Sequence, residues 1–418
     1  MQFALLGDHP DGLDMARALA ESGRHELVGY AGPAVGAEHL RRWGLAFRPA
    51  SDVEEVLADP AVDVVIVAGR PANRPDQLRR ALQLERHVLC VQPVDTTPDT
   101  AYEAALIQGD THQVLLPLLP EALHPGVRRL ADLARSPSAG MGTFRLVEAE
   151  RWSPERVLLE AGGRRQQPSL PGWDVLRVIG GEVAEVFALA AREELDPEGP
   201  LLVSGRFEQG GLFQAAFLSG QQEALWRLSV VGSAGRADLV FPEGWPGPSR
   251  LSWRDEAGEP RDEAYPAWDP WPALVEVFEE AVSGGRAPAA AQPALARQAA
   301  SAAVQANPPP AAALREPPGR PRLAWQDAVR YLELDDAARR SVAKRRASAL
   351  EYQEASEEAG FKGTMTLLGC GLLWGSLLLL ILSRWVPWAG WLILPLFGLF
   401  LLLQLLRGVV QKRPQPGP

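Results

Sequence analysis

The chain has 418 residues, 46% hydrophobic and 22% charged, which excludes a disordered polymer or a disulfide-stapled miniprotein and predicts two compact domains with an appendage. Its 42 basic and 52 acidic side chains leave a net charge of -10, with no basic stripe through the first 320 residues, so nucleic acid is not an expected partner. Only Cys90 and Cys370 are present, which excludes a disulfide framework and a Cys/His zinc site and suggests a reducing compartment.

The amino terminus lacks the pattern of a signal peptide and begins as a strand, Gln2 to Leu6. A glycine turn follows, Gly7-Asp8-His9-Pro10-Asp11-Gly12, and then a helix from Leu13 to Ser22. A strand at Leu27 to Tyr30 leads to helices near Gly36 to Trp43 and Val53 to Ala58, the latter opening on the solvated acids Asp52, Glu54 and Glu55. Val62 to Ala68 is β-branched and uninterrupted, as suits a strand covered on both faces. Pro75 to Leu84 is helical, Val88 to Val91 is a buried strand, and Pro98 to Gln108 is helical again. This alternation predicts a doubly wound parallel sheet over residues 1–121.

Residues 122–286 read as a second, α+β domain with a mostly antiparallel sheet. Its strands are Gly142 to Glu148, Val183 to Ala190, Leu201 to Phe207, Leu212 to Leu218 and Ala224 to Val231, with a helix at Trp173 to Ile179. Tyr265, Trp268 and Trp271 fall in a Pro-rich stretch, where aromatic packing on a loop is a commoner explanation than a carbohydrate platform. Residues 287–322 form an Ala/Pro-rich linker, and 323–350 a late helix that ends in basic residues.

The carboxyl end holds two charge-free apolar runs, Gly363 to Ser383 and Ala389 to Leu406, each close to the roughly 20 residues that cross a bilayer core. A short turn with Trp385 and Trp388 joins them, and basic residues flank both outer ends. Residues 363–410 are therefore expected to form a two-span membrane hairpin with the globular part facing the cytoplasm.

All six histidines (His9, His25, His39, His87, His112 and His124) lie in the first 124 residues, and the lysines are Lys344, Lys362 and Lys412. A lysine acid, base or Schiff base is thus excluded from the first 343 residues. The strand, glycine turn and helix at the amino terminus form an arrangement that offers helix amides to a phosphate. The fingerprint Gly-x-Gly-x-x-Gly is two-thirds present, however: His9 holds the middle place, and Leu27-Val28-Gly29-Tyr30-Ala31-Gly32 ends without the acid that would bind ribose. On residues alone, a bound dinucleotide and a Rossmann-like domain kept for its packing both stay open.

The pattern resembles the Gfo/Idh/MocA family of NAD(P)-dependent oxidoreductases, many of which act on sugars, inositols and related polyols. The resemblance is carried by Ala4-Leu5-Leu6-Gly7 with Gly12, Val62-Asp63-Val64-Val65-Ile66-Val67-Ala68, His87-Val88-Leu89-Cys90-Val91-Gln92-Pro93 and Trp173-Asp174-Val175-Leu176-Arg177. It covers roughly residues 1–350. It implies NAD or NADP bound along Gly7, Asp8, His9, Gly12, Ala68, Gly69, Arg70, Asn73, Gln92 and Pro93, and a homo-oligomer formed through the second-domain sheet.

The family carries Glu-Lys-Pro where this chain has Val91-Gln92-Pro93. Anchoring its second motif on Gly162-Gly163 and Asp174 puts Gln167 at the aspartate place and Pro171 at the histidine place. Each proton-handling position is thus held by a group that does not titrate, although a positioned acid–base group is worth on the order of 10² to 10⁴ in rate. The expected protein is a membrane-tethered relative with impaired or lost catalysis, a pseudoenzyme acting as sensor or scaffold. Two alternatives stay open. One is an active dehydrogenase of a sugar or polyol that recruits Asp174, Glu150 or a tyrosine as base, and the other is a cofactor-free protein-interaction module.

Overall fold

Six strands, β1 (Gln2–Gly7), β2 (Glu26–Ala31), β3 (Arg48–Pro49), β4 (Val64–Ala68), β5 (His87–Val91) and β6 (Leu115–Leu118), form a parallel sheet in the order β3-β2-β1-β4-β5-β6. The computed structural model describes residues 1–109, 113–135, 142–153, 172–191, 199–219, 225–255, 257–285, 323–345 and 348–349. Alternate residues of the strands enter two cores: Phe3, Leu5, Val64 and Ile66 pack in one, Ala4, Leu6, Val65 and Val67 in the other. Helices cover both faces, which is why β4 is buried throughout and reads as a continuous apolar run.

The helices of this half are α1 (Pro10–Glu21), α2 (Ala34–Arg42), α3 (Val53–Leu57), α4 (Arg74–Gln83) and α5 (Asp99–Gly109). α1 begins three residues earlier than the apolar pattern predicts, because Pro10 suits the first helical position and His9 caps it. A single 3₁₀ turn, Glu121–Leu123, and α6 (Pro125–Arg135) lead into the second half.

There, β7 (Phe144–Ser153), β8 (Val183–Ala190), β9 (Leu201–Phe207), β10 (Leu212–Ser219), β11 (Leu225–Gly232), β12 (Arg236–Phe241), β13 (Ser249–Arg254), β14 (Pro260–Tyr265) and β15 (Ser348–Ala349) make a nine-stranded sheet. Their order is β14-β13-β12-β11-β7-β10-β9-β8-β15, antiparallel except where β10 runs parallel to β7. α7 (Trp173–Gly180) packs under it. The anticipated strands are present to within two residues at most ends. β7 starts and finishes later, and β12, β13 and β14, whose polar residues blur the alternation, were not anticipated.

The residues on either side of the aromatic stretch also differ from expectation. Trp271 is 7% exposed and opens α8 (Trp271–Gly285), a helix the sequence reading lacked. Trp271, Leu274, Val275, Phe278 and Val282 join the core of Phe3, Leu5 and Leu13, so α8 closes the first sheet although it follows the second in the chain. The last described helix, α9 (Trp325–Lys344), ties the two halves together. Its Trp325 indole donates to Ala101 O at 2.9 Å, and its Ser341 hydroxyl accepts from Ala188 N at 2.9 Å.

The described residues all fall within one compact unit, Met1–Glu351. The linker at 287–322 and the two apolar runs within 363–410 lie outside the described residues. Among the described residues no helix is long and apolar enough to cross a membrane.

Candidate functional site

β1 ends on Gly7 at φ +101°, a backbone region that favours glycine. A Cβ there would lie 2.3 Å from Ala68 O, and one on Gly12 would lie 2.2 Å from Ala68 Cβ. These two glycines therefore let the turn nest against the end of β4, as the fingerprint expects. The amides of residues 9, 11 and 13 are engaged within the chain, and residue 10 has none. Asp11 N donates to His9 Nδ1 at 3.2 Å, and Leu13 N donates to His9 O at 3.0 Å. His9 N itself bonds Ala68 O at 3.1 Å, so the histidine is fixed at both its backbone and its ring.

Burial, and secondarily the Arg74 guanidinium, lowers the His9 pKa to about 3, leaving the imidazole a neutral acceptor. Burial raises the Asp11 carboxyl to about 6; Arg74 opposes that shift while Glu121 and Asp14 add to it. Near neutral pH the turn thus carries a carboxylate where a helix amino terminus would receive phosphate.

The end of β2 is closed in a comparable way. Gly32 stands 20 residues beyond Gly12, about the interval at which a dinucleotide fold places its ribose-binding acid. A Cβ on Gly32 would lie 2.5 Å from the Tyr30 hydroxyl, and one on Gly36 would lie 2.2 Å from that oxygen and 2.8 Å from Asp8 Cβ. The buried Tyr30 side chain therefore fills the acid's place, and its hydroxyl donates to Pro33 O at 2.7 Å. Burial and the neighbouring Asp8 carboxylate keep that hydroxyl protonated.

Across the turn, Ala68 and Gly69 end β4 in the core, whereas Arg70 and Asn73 are exposed on the loop that leads into α4. The buried Arg74 spans the ends of β4 and β5, donating to Gly69 O at 2.8 Å and Pro93 O at 2.7 Å. Nothing in the residue pattern marks this arginine as the buried positive charge between the two strand ends. Gln92, at the family's lysine place, is turned onto its own loop: its amide nitrogen donates to Cys90 O at 3.3 Å and its oxygen accepts from Val94 N at 3.3 Å.

Gln167 and Pro171 lie outside the described residues. Asp174, in the first turn of α7, is 5% exposed. The backbone at Val175, at Asp174 itself and at Ala122 favours its charged form. Burial and then the charge of Glu121 nevertheless raise its pKa to about 7. Glu121 in turn receives a bond from Arg151 at 2.9 Å. Beside Asp174 lies a cavity of about 130 Å³, lined also by Ala122, Arg177, Glu182, Leu323 and Asp327. Glu150, the other candidate carboxylate, pairs with Arg227 at 3.4 Å across the second sheet. Among the described residues no cluster of His, Cys, Asp and Glu fits a metal ion.

These residues can be matched against the nicotinamide dinucleotide that the resemblance implies. The backbone frame, with Gly7 and Gly12 against Ala68, follows the path of such a ligand. The polar groups do not fit it: the amides of residues 9, 11 and 13 are used and residue 10 has none, the first turn carries the Asp11 carboxylate, and the Tyr30 ring lies against Gly32. The anticipated contacts Gly7, Gly12, Ala68 and Gly69 are thus brought together, while His9 and Gln92 bond their own chain.

Residues 11–116 match the family model described as "Oxidoreductase family, NAD-binding Rossmann fold", GFO_IDH_MocA. A curated relative, "Uncharacterized oxidoreductase YrbE" of Bacillus subtilis (strain 168), is 24% identical over 203 residues, spanning 45% of this chain and 58% of that protein. The structure is similar to that of an NADPH-dependent oxidoreductase from Desulfitobacterium hafniense dcb-2, with TM-score 0.63, 16% identity, 83% of this chain and 97% of that one. It is also similar to an Agrobacterium radiobacter oxidoreductase in complex with NAD+, L-tartaric acid and magnesium, with TM-score 0.61, 16% identity, 84% of this chain and 98% of that one. Residues 11–116 thus match the NAD-binding Rossmann fold of the Gfo/Idh/MocA oxidoreductase family model.

Proposed function

We propose that this protein is a Gfo/Idh/MocA-type scaffold whose hydride-transfer chemistry is impaired or lost, and that it serves as a sensor or scaffold at a membrane. The observation that carries this reading is the Gln92 amide, bonded to Cys90 O and Val94 N where the resemblance implies a lysine. An amide orients a hydroxyl but does not take its proton usefully near neutral pH. The two cleft-side histidines do not replace that lysine. His9 has its Nδ1 occupied by a helix amide, and His124 is fully buried among aromatic rings. The two charge-free runs within 363–410 support the tether, and the globular part then faces the cytoplasm. Exposed Leu189 and Leu202, paired across β8 and β9, support association with a second copy through the second sheet.

A second reading is favoured by Asp174. A buried carboxyl titrating near neutrality beside Glu121 has the pKa a general base requires, so a sugar or polyol dehydrogenase working through this residue is the competing proposal. Incubating the full-length chain with NAD+ and NADP+ and a panel of polyols and aldoses separates the two. No turnover is expected, whereas turnover abolished by Asp174→Asn establishes the second reading.

A further inference from the structure

We infer that the dinucleotide cradle is held shut by the chain's own groups: His9, Asp11 and Tyr30 stand where pyrophosphate and adenosine ribose would be gripped, so a dinucleotide binds only by displacing them. This rests on the reading of the first half as an NAD-type Rossmann fold. Two independent places carry it.

At the helix start, the His9 ring takes the Asp11 amide at 3.2 Å and Pro10 offers no amide. The helix dipole is likewise answered from within, because the Asp11 carboxylate sits in the first turn. An incoming phosphate must break the cap and meet a like charge. The groups that face this carboxylate are His9 on the preceding turn, Arg74 from α4, Glu121 from the 3₁₀ turn and Asp14 from α1 itself. Arg74 cannot swing out to offset the repulsion without leaving Gly69 O and Pro93 O.

At the end of β2, the Tyr30 hydroxyl lies 2.5 Å from where a Cβ on Gly32 would be, and it is already donated to Pro33 O. The residue at that place is Gly32 rather than an acid, and no larger side chain fits there while the ring stays in place; the carboxylate nearby is Asp8 of the glycine turn. The glycines at 32 and 36 are what allow this ring to lie across the cradle, so the two features are one device.

Calorimetric titration of the full-length chain with NADH and NADPH tests the inference. The natural protein is expected to show no saturation below about 1 mM. His9→Gly frees the amide and is expected to tighten binding on the order of fivefold, the factor that one helix cap is worth. The pair Tyr30→Val with Gly32→Asp restores the acid and the room for it, and tightens binding further. Thermal melting checks that each variant folds; if the pair does not, the natural chain and His9→Gly decide alone. Micromolar saturation by the natural chain, or unchanged affinity in His9→Gly, overturns the inference. Tight binding without turnover would sink this inference and leave the proposed function intact, whereas turnover despite weak binding would do the reverse.

Discussion

His124 shows how a single side chain sets a pH limit on the fold. Its ring lies edge-on to Phe241, Trp245, Tyr265 and Trp268 at centroid distances of 4.9 to 5.7 Å, and its Nδ1 accepts from Gly126 N at 3.1 Å. Among the described residues Nε2 is buried without a partner, so the ring is held neutral and burial lowers its pKa to about 4. The unfolded chain protonates near the ordinary value of 6.5 and the folded chain does not, so stability is complete above that pH and falls as the pH drops from 6.5 to about 4. The loss from this residue is on the order of 3 kcal/mol. Melting temperatures at pH 7 and pH 4.5 should therefore differ more for the natural protein than for His124→Gln; equal differences would show that the ring is not the sensor. Asp174 acts with the opposite sign. Its raised pKa makes the folded state gain stability as the pH falls through about 7, so only the comparison between variants isolates His124.

At the scale of elements, the contact between the glycine turn and β4 is the joint on which the site is built. Gly12→Ala would drive a methyl to 2.2 Å from Ala68 Cβ and should cost about 1 to 3 kcal/mol by overpacking. Adding Ala68→Gly in the same chain should recover most of that loss. A double variant no more stable than Gly12→Ala alone would contradict this close approach. Most of the parallel sheet was legible in the sequence, because strands buried on both faces leave continuous apolar runs such as Val64–Ala68. β8 and β9 were legible because Val186, Ala188, Leu201 and Val203 alternate with outward residues. β14 was not, since Arg261, Asp262 and Glu263 follow one another on an edge strand. α8 was hidden by the prolines before it, although Leu274, Val275, Phe278 and Val282 hold helical spacing. The missing fingerprint glycine and the missing ribose acid were both visible in the chain. What replaces them was not: the His9 cap and the Tyr30 ring against Gly32 and Gly36 are contacts within a few residues, but they turn on backbone conformation and side-chain direction, which apolar spacing does not report.

For the whole molecule, the described unit leaves an uneven surface on the second sheet. Phe187, Leu189, Leu202 and Leu212 are 38%, 55%, 44% and 54% exposed on β8, β9 and β10. Three of the four lie on two neighbouring strands, where Leu189 stands opposite Leu202. Single exposed leucines need no explanation, whereas an adjoining set of this kind supports the proposed association through the second sheet. Light scattering on the full-length chain should show an oligomer that Leu189→Asp with Leu202→Asp weakens; an unchanged mass would remove the sheet from the account of assembly.

The central claim concerns Gln92, whose amide bonds its own loop, His9, whose Nδ1 takes the Asp11 amide, and His124, which is fully buried. The most direct measurement is nicotinamide absorbance during incubation of the full-length protein with both oxidised cofactors and a polyol and aldose panel at pH 7 and pH 9. The account predicts no reduced cofactor above the background without enzyme at either pH. Steady reduction of either cofactor, lost in Asp174→Asn, would contradict it and assign the proton to that carboxylate.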